Sequence, residues 1–480
     1  MSGPIPTAGR LRAGILLVFV LATAAAAFGI GVRATAGAYA AVDEPQYLLT
    51  ALSLYEDGDL DIADELRDRR WEDFHRPDEL PTQTELRADG RQLSPHDPLL
   101  PLLLALPMGL GGVVAAKATL AALAGLTAAT TLWIAVRRLR VPLVVAVPGV
   151  ALAAASAPLA VYGQQVYPEL PAGLAVLGSI GALTGPLGRR GAVLLVVCVV
   201  ALPWLSVKYV LVAAVLALLG LARLLRRRER GAAAVLAAAL GLSAAAYLLV
   251  HRLVYGGWTV YASADHFLGS GEFGVVGFAP NYAGRSIRLV GLLVDRDFGL
   301  AAWQPAWLLM VPALAAVAVG RSSHRVVLVA PLLAGWFTAT YVALTMHGFW
   351  WPGRQLVVVL PLAVLVVLAW VGRLSRTGRL LAAAAAGWGV VIYAGLIRLG
   401  VEGRIDWVGA PDALDLHTPL AWIFPDDRVL GRSDVVLYGL WATLLAVAAL
   451  AAGLSARAQP SGRTTDDPIA PAAAGSRRRR

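Results

Sequence analysis

Apolar stretches of about 20 residues recur along this chain, separated by short arginine clusters. No other feature limits the fold as strongly, because about 20 mainly apolar residues are what a helix needs to cross a bilayer. Of 480 residues, 58% are hydrophobic and only 15% are charged, against about 45–50% and about 25% in soluble domains. A soluble core of this size needs no such excess. A cytosolic enzyme or a string of water-soluble domains is therefore excluded, and the sequence predicts an all-α polytopic membrane protein.

About twelve spans can be drawn, over residues 13–33, 113–136, 141–160, 170–187, 191–206, 209–225, 232–252, 300–319, 325–346, 354–373, 379–400 and 433–456. The fifth and sixth are short, as broken or tilted helices are. Arginines set the orientation. Arg10 and Arg12, Arg137 to Arg140, Arg189-Arg190, Arg226 to Arg230, Arg321 with Arg325, Arg373, Arg376 and Arg379, and Arg477 to Arg480 all fall on one side of a twelve-span chain. That side is expected to be the cytoplasm, with both termini in it. Acids contribute little to topology, yet of the 31 only Glu229, Asp466 and Asp467 fall inside. The acidic chemistry belongs to the outer face.

Residues 1–456 are thus expected to form one transmembrane domain. Its first extracytoplasmic loop, 34–97, holds 16 Asp and Glu against 6 Arg. Residues 253–299 form a second large outer loop and 401–432 a third. Pro98 to Gly112 is apolar but too short to cross, and it is expected to lie at the interface or to re-enter. An alternative for the N-terminus is a signal peptide cut near Ala38-Tyr39-Ala40, which would break the even span count. The tail, 457–480, is rich in Pro, Ala, Ser and Arg and is expected to be a disordered basic cytoplasmic segment near anionic headgroups.

The net charge of +10 does not point to nucleic acid, because the basic residues sit between apolar spans as cytoplasmic loops do. Only two of the 41 basic residues are lysines, Lys117 and Lys208. With the abundant Ala, Gly and Val, this usage points to a GC-rich bacterial genome and hence to a bacterial plasma membrane. The one cysteine, Cys198, lies in an apolar run, which leaves no disulfide framework and no cysteine metal site.

Chemistry is concentrated at the outer boundary. Asp43-Glu44-Pro45-Gln46-Tyr47 follows the first span. Two adjacent carboxylates there can divide labour, one as a general base with its pKa raised by burial; Asp43 also suits the cap of a helix starting at Pro45. Glu169, in Tyr167-Pro168-Glu169-Leu170-Pro171, lies on the same side in a tight connection with no other charge. Lys208 follows Pro203, which should break its helix, and Arg354 follows the aromatic run His347-Gly348-Phe349-Trp350-Trp351. Arginine suits bidentate phosphate contact and lysine a point-charge contact; snorkelling to headgroups explains either one equally, and Lys117 too. His96, beside Asp97, could join Asp43 or Glu169 in holding a divalent metal. Walker, dinucleotide, HExxH and GxSxG signatures are absent.

Asp-Glu-Pro-x-Tyr after the first helix resembles the opening of GT-C membrane glycosyltransferases. So do Ser94-Pro95-His96-Asp97-Pro98 with the leucine-rich stretch after it, Tyr-Pro-Glu-Leu-Pro after span three, and Leu-Pro-Trp-Leu-Ser-Val-Lys-Tyr. The group is similar to protein mannosyltransferases and to lipid A aminoarabinose transferases, and the resemblance is clearest over residues 13–210. It implies a GT-C-like bundle in which a sugar passes, with inversion, from a polyprenyl-phosphate donor to an extracytoplasmic glycan, lipid or protein. The family's base maps to Asp43, with Glu44 beside it, and its second acid to Glu169, where the family often carries Asp. Arg354 and Lys208 would hold the donor phosphate, with His96 and Tyr47 in support. Some members use a divalent cation such as Mg or Mn, which His96 leaves open. The competing class is a flippase or transporter of a lipid-linked precursor. The outer concentration of acids and the lack of an acid in mid-span argue against it.

Overall fold

The computed structural model describes residues 7–77, 79–260, 281–343, 345–408, 422–428 and 430–458. The cytoplasmic tail expected over 457–480 lies outside them from residue 459, as does much of the second and third outer loops. Among the described residues there is no strand, only three isolated bridges. The chain is an all-α polytopic membrane protein.

Every span drawn from the sequence coincides with a helix, but the helices are not of equal length. Seven are long and apolar enough to cross a membrane. Among these are α1 (Ala8–Phe28), α4 (Leu99–Arg137) and α10 (Arg230–Val254). α9 (Val210–Arg226) qualifies with the 3-10 turn Val207–Tyr209 that precedes it. α5 (Leu143–Ala154), α7 (Glu169–Thr184) and α8 (Arg189–Leu205) are shorter. So are α11 (Met310–Val319) and α13 (Leu360–Val371). A 12-residue helix such as α5 rises only about 18 Å, against a hydrocarbon core of about 30 Å. The remaining long helices are α12 (Arg325–Phe337) with its π-turn Thr338–Val342, α14 (Arg376–Val401) and α15 (Arg432–Ala458).

The apolar segment before the second span is helical and runs straight into it. α4 breaks at Gly111–Gly112, where Gly112 adopts a φ of 60° that glycine reaches without a Cβ penalty. On the near side of the break, Leu100, Leu104 and Met108 are buried while Leu102 and Leu106 stay about 60% exposed. A short helix that is apolar on its inner and its outer face suits the edge of a bilayer. The inner face packs on α2 (Glu44–Glu56).

α1 lies along α4, with Val18, Ala22 and Ala26 buried between them. Small side chains let backbones approach, which is how helices associate in lipid. α7 packs on α4 and α8, and α11 on α15. The arginine clusters 137–140, 189–190, 226–230 and 373–379 all sit at one end of these helices. At the opposite end lie the starts of α2 and α7, the turn at Val207–Tyr209 and the 3-10 turn Arg354–Leu356.

Candidate active site at the acidic end of the bundle

Asp43 is the N-cap residue of α2, Glu169 opens α7, Lys208 lies in the turn after α8, and Arg354 opens the turn before α13. Proline fixes three of these ends. Pro45 sits in the first turn of α2, Pro168 caps α7, and Pro203 lies in the last turn of α8. Carboxylates at helix N-termini are favoured by the exposed N–H groups and the positive end of the dipole.

The bundle brings all four side chains into one chain of contacts. Arg354 donates through Nε to Glu169 Oε1 at 2.9 Å and through Nη2 to Asp43 Oδ2. Lys208 Nζ donates to the same Glu169 oxygen at 2.6 Å. The guanidinium lies over the rings of Tyr167 (4.1 Å) and Trp350 (5.3 Å). Snorkelling is therefore not what Arg354 or Lys208 does here. Arg354 is 7% exposed, and Glu169 is fully buried. Burial acts to raise the pKa of Asp43, but the charges of Arg354 and His96 outweigh it and hold this carboxylate well below the usual range.

Two further residues complete the Asp43 side. Gln83 donates to Asp43 Oδ1 at 3.1 Å and to the carbonyl of Val42 at 3.3 Å. His96 Nε2 meets Gln83 Oε1 at 3.1 Å, and the ring stacks on Tyr47 with centroids 4.3 Å apart. Tyr47, His96 and Gln83 thus form a chain of contacts ending on Asp43, and Gln83 stands in no motif and gave no sequence signal. Arg354 stands between Asp43 and Glu169 and bonds to both. Val42 itself takes a φ of 58°, which strains a β-branched residue by about 1–3 kcal/mol. Strain of this kind collects where surroundings over-determine a functional position.

Glu44 points away from Asp43 and its partners. It is fully buried, Oε1 accepts from the N–H of Val166 at 2.8 Å, and Oε2 accepts from Ala41 at 3.2 Å. Lys117 is buried 3.7 Å from it and donates to the carbonyl of Tyr39 at 2.7 Å, so it does not snorkel. The pair ties α2 to α4 and to the loop leading into α7. Glu44→Gln should therefore destabilise the protein by about 3–5 kcal/mol by leaving a buried ammonium unpaired, while activity per folded molecule is retained; thermal unfolding beside an active-fraction count checks this.

Asp97, at the end of the first loop, accepts from Tyr247 at 2.7 Å, from the N–H of Val207 at 2.9 Å, and meets His251 at 3.0 Å. It pins the turn carrying Lys208. Gly353 does the same for Arg354. Its φ is +85°, and a Cβ there would lie 2.7 Å from Leu300 Cδ2. Gly353→Ala should cost about 1–2 kcal/mol from the left-handed backbone alone, and should displace Arg354 so that donor affinity falls; a KM series against unfolding midpoints reads both effects.

Around the four charges lie buried polar atoms with no hydrogen-bond partner: both side-chain atoms of Gln46, Gln164 and Gln165, the Tyr167 hydroxyl and Glu169 Oε2. Each such group costs about 1–3 kcal/mol, so a cluster of them marks where a polar ligand or water belongs.

No protein-family model and no curated protein matches the chain. Among solved structures it is similar to the crystal structure of ArnT from Cupriavidus metallidurans bound to undecaprenyl phosphate. The two share 14% identity at a TM-score of 0.44, over 94% of this chain and 78% of that one. A likeness this distant carries no residue roles across.

Proposed function

We propose that this chain is a GT-C-type membrane glycosyltransferase that moves a sugar from a polyprenyl-phosphate donor to an extracytoplasmic acceptor, with inversion. The observation that carries it is the Asp43–Arg354–Glu169–Lys208 chain, buried at Arg354 and Glu169 and half-buried at its two ends, at the end of the bundle opposite the arginine clusters. By the positive-inside rule that end faces outward, and both termini are cytoplasmic.

Two cations and two carboxylates in this order suit phosphate exchange. Arg354 is a planar donor fork already aimed at anionic oxygens, and Lys208 is a point charge beside it. An arriving donor phosphate competes with Asp43 for Arg354. Once Asp43 loses the guanidinium, burial is opposed only by His96 and Gln83, and its basicity rises toward the range a general base needs. Asp43 then takes the proton of the acceptor hydroxyl. The acceptor oxygen bonds to the anomeric carbon as the bond from that carbon to the phosphate oxygen breaks. The electron pair leaves on the polyprenyl phosphate, where Arg354 and Lys208 stabilise the growing charge. Glu169 holds both cations in register.

The test is transfer of labelled sugar from a polyprenyl-phosphate pool by purified protein in vesicles. Saturable, donor-dependent transfer supports the reading. Transbilayer movement of the lipid-linked sugar without transfer would replace it with the carrier reading.

A further inference from the structure

The first outer loop contains a second acidic cluster, between Asp43 and Gln83 in sequence and at the far end of α2 from Asp43. The segment Asp57-Gly58-Asp59-Leu60-Asp61-Ile62-Ala63-Asp64-Glu65 links the end of α2 to α3 (Ala63–Arg67). Its turn is shaped by two of the acids. Asp59 Oδ1 accepts from Ser53 Oγ at 3.0 Å and from the N–H of Asp61 at 2.9 Å. Asp61 Oδ1 accepts from the N–H groups of Ala63 and Gln92 at 3.1 and 2.8 Å. Gly58 supplies the reversal with a φ of +78°.

With Asp59 and Asp61 so engaged, the other three turn toward one another. One oxygen each of Asp57, Asp64 and Glu65 lies within 4.8 Å of the others. Glu65 is the decisive member. Its residue is only 3% exposed, and neither carboxylate oxygen has a hydrogen-bond partner. The nearby arginines are committed elsewhere, Arg70 to Glu56 in a bidentate pair at 2.7 and 2.8 Å and Arg67 to Asp68 at 3.2 Å. A buried carboxylate with two bare oxygens, aimed at two more carboxylates, is stable only if protonated or if a cation joins it.

We propose that Asp57, Asp64 and Glu65 bind one calcium ion. Oxygens on opposite sides of a calcium ion lie about 4.6–5.2 Å apart and adjacent ones lie closer, so the observed spread encloses a single ion. Three carboxylates on a turn and a short helix give the charge and irregular geometry that calcium accepts. Magnesium demands near-octahedral geometry, keeps most of its waters and uses one or two carboxylates. The ion would bind the end of α2 to α3 and so brace the helix whose other end carries Asp43. This does not depend on the transferase reading, since its test reads metal rather than sugar.

Chelator-stripped full-length protein in detergent is titrated with calcium chloride by calorimetry, and unfolding is followed with and without the metal. Wild type should bind one calcium ion with a dissociation constant of about 10⁻⁴–10⁻³ M, the range of extracellular modules, and its midpoint should rise with calcium more than with equal magnesium. Glu65→Gln should lose at least about tenfold in affinity, since a charged ligand is removed without a change of shape. Asp57→Asn, at an exposed position where folding is not at risk, should also weaken binding, whereas the exposed Asp73→Asn should not. Unchanged affinity in both cluster variants would overturn the proposal. So would the absence of bound calcium in the wild type at about 10 mM, tenfold above the weakest such sites; Glu65 would then be a buried neutral acid.

Discussion

Asp43→Asn is expected to reduce sugar transfer by about 10²–10⁴-fold, the contribution of a positioned general base, while the protein inserts and unfolds much as wild type does. The amide keeps the shape of the carboxylate, and its single oxygen can still accept from Arg354, at the cost of the bond from Gln83, which then faces the new NH2 group. It cannot accept the proton of the acceptor. Arg354 also keeps its bond to Glu169, so no cation is stranded. The measurement is single-turnover transfer of labelled sugar, with donor affinity measured separately. Full activity in the variant would remove Asp43 from the base role and pass it to Glu169, the other acid on Arg354.

Arg354→Gln is expected to have the larger effect on stability, about 3–5 kcal/mol, together with near loss of donor binding. The substitution leaves Asp43 buried without its cation, although Glu169 retains Lys208. The double variant Arg354→Gln, Asp43→Asn should regain most of that stability and none of the activity, because it removes the stranded charge but also the base. The pH dependence should change with it. In wild type the depressed Asp43 pKa means that the pair stabilises the fold above the unfolded value of about 3.9 and is lost only as pH falls below it. In Arg354→Gln, burial is opposed only by His96 and Gln83, and the Asp43 pKa rises. The stability lost relative to wild type then grows as pH rises from the wild-type value through the new one. The variant should thus lie closest to wild type at acid pH, below about 4, and furthest from it above neutrality.

The helical segments were legible because hydropathy is a local sum: each apolar run needs only its own length to declare a helix. Their lengths were less legible. Segments such as Leu143–Ala154 and Leu360–Val371 are shorter than their apolar runs suggest, because where a helix starts and stops depends on prolines and on the turns that neighbouring helices impose. The four charged candidates also stood out singly, since a charge at the edge of an apolar run is conspicuous.

Which of those charges meet is another matter. Asp43 and Arg354 are 311 positions apart, and no spacing in the chain links them. Glu44, adjacent to Asp43 and indistinguishable from it by motif, turns instead toward Lys117 and the N–H of Val166, because successive residues at a helix start point about 100° apart. Gln83 gave no signal at all, being an ordinary glutamine in a loop, yet it orients Asp43. By itself the sequence determined a helical membrane chain with most of its acids at one end and its arginine clusters at the other, because burial in lipid acts on each residue independently. Only the tertiary structure decided that Arg354 stands between Asp43 and Glu169, because a pairing energy exists only once packing has brought both partners within a few ångströms.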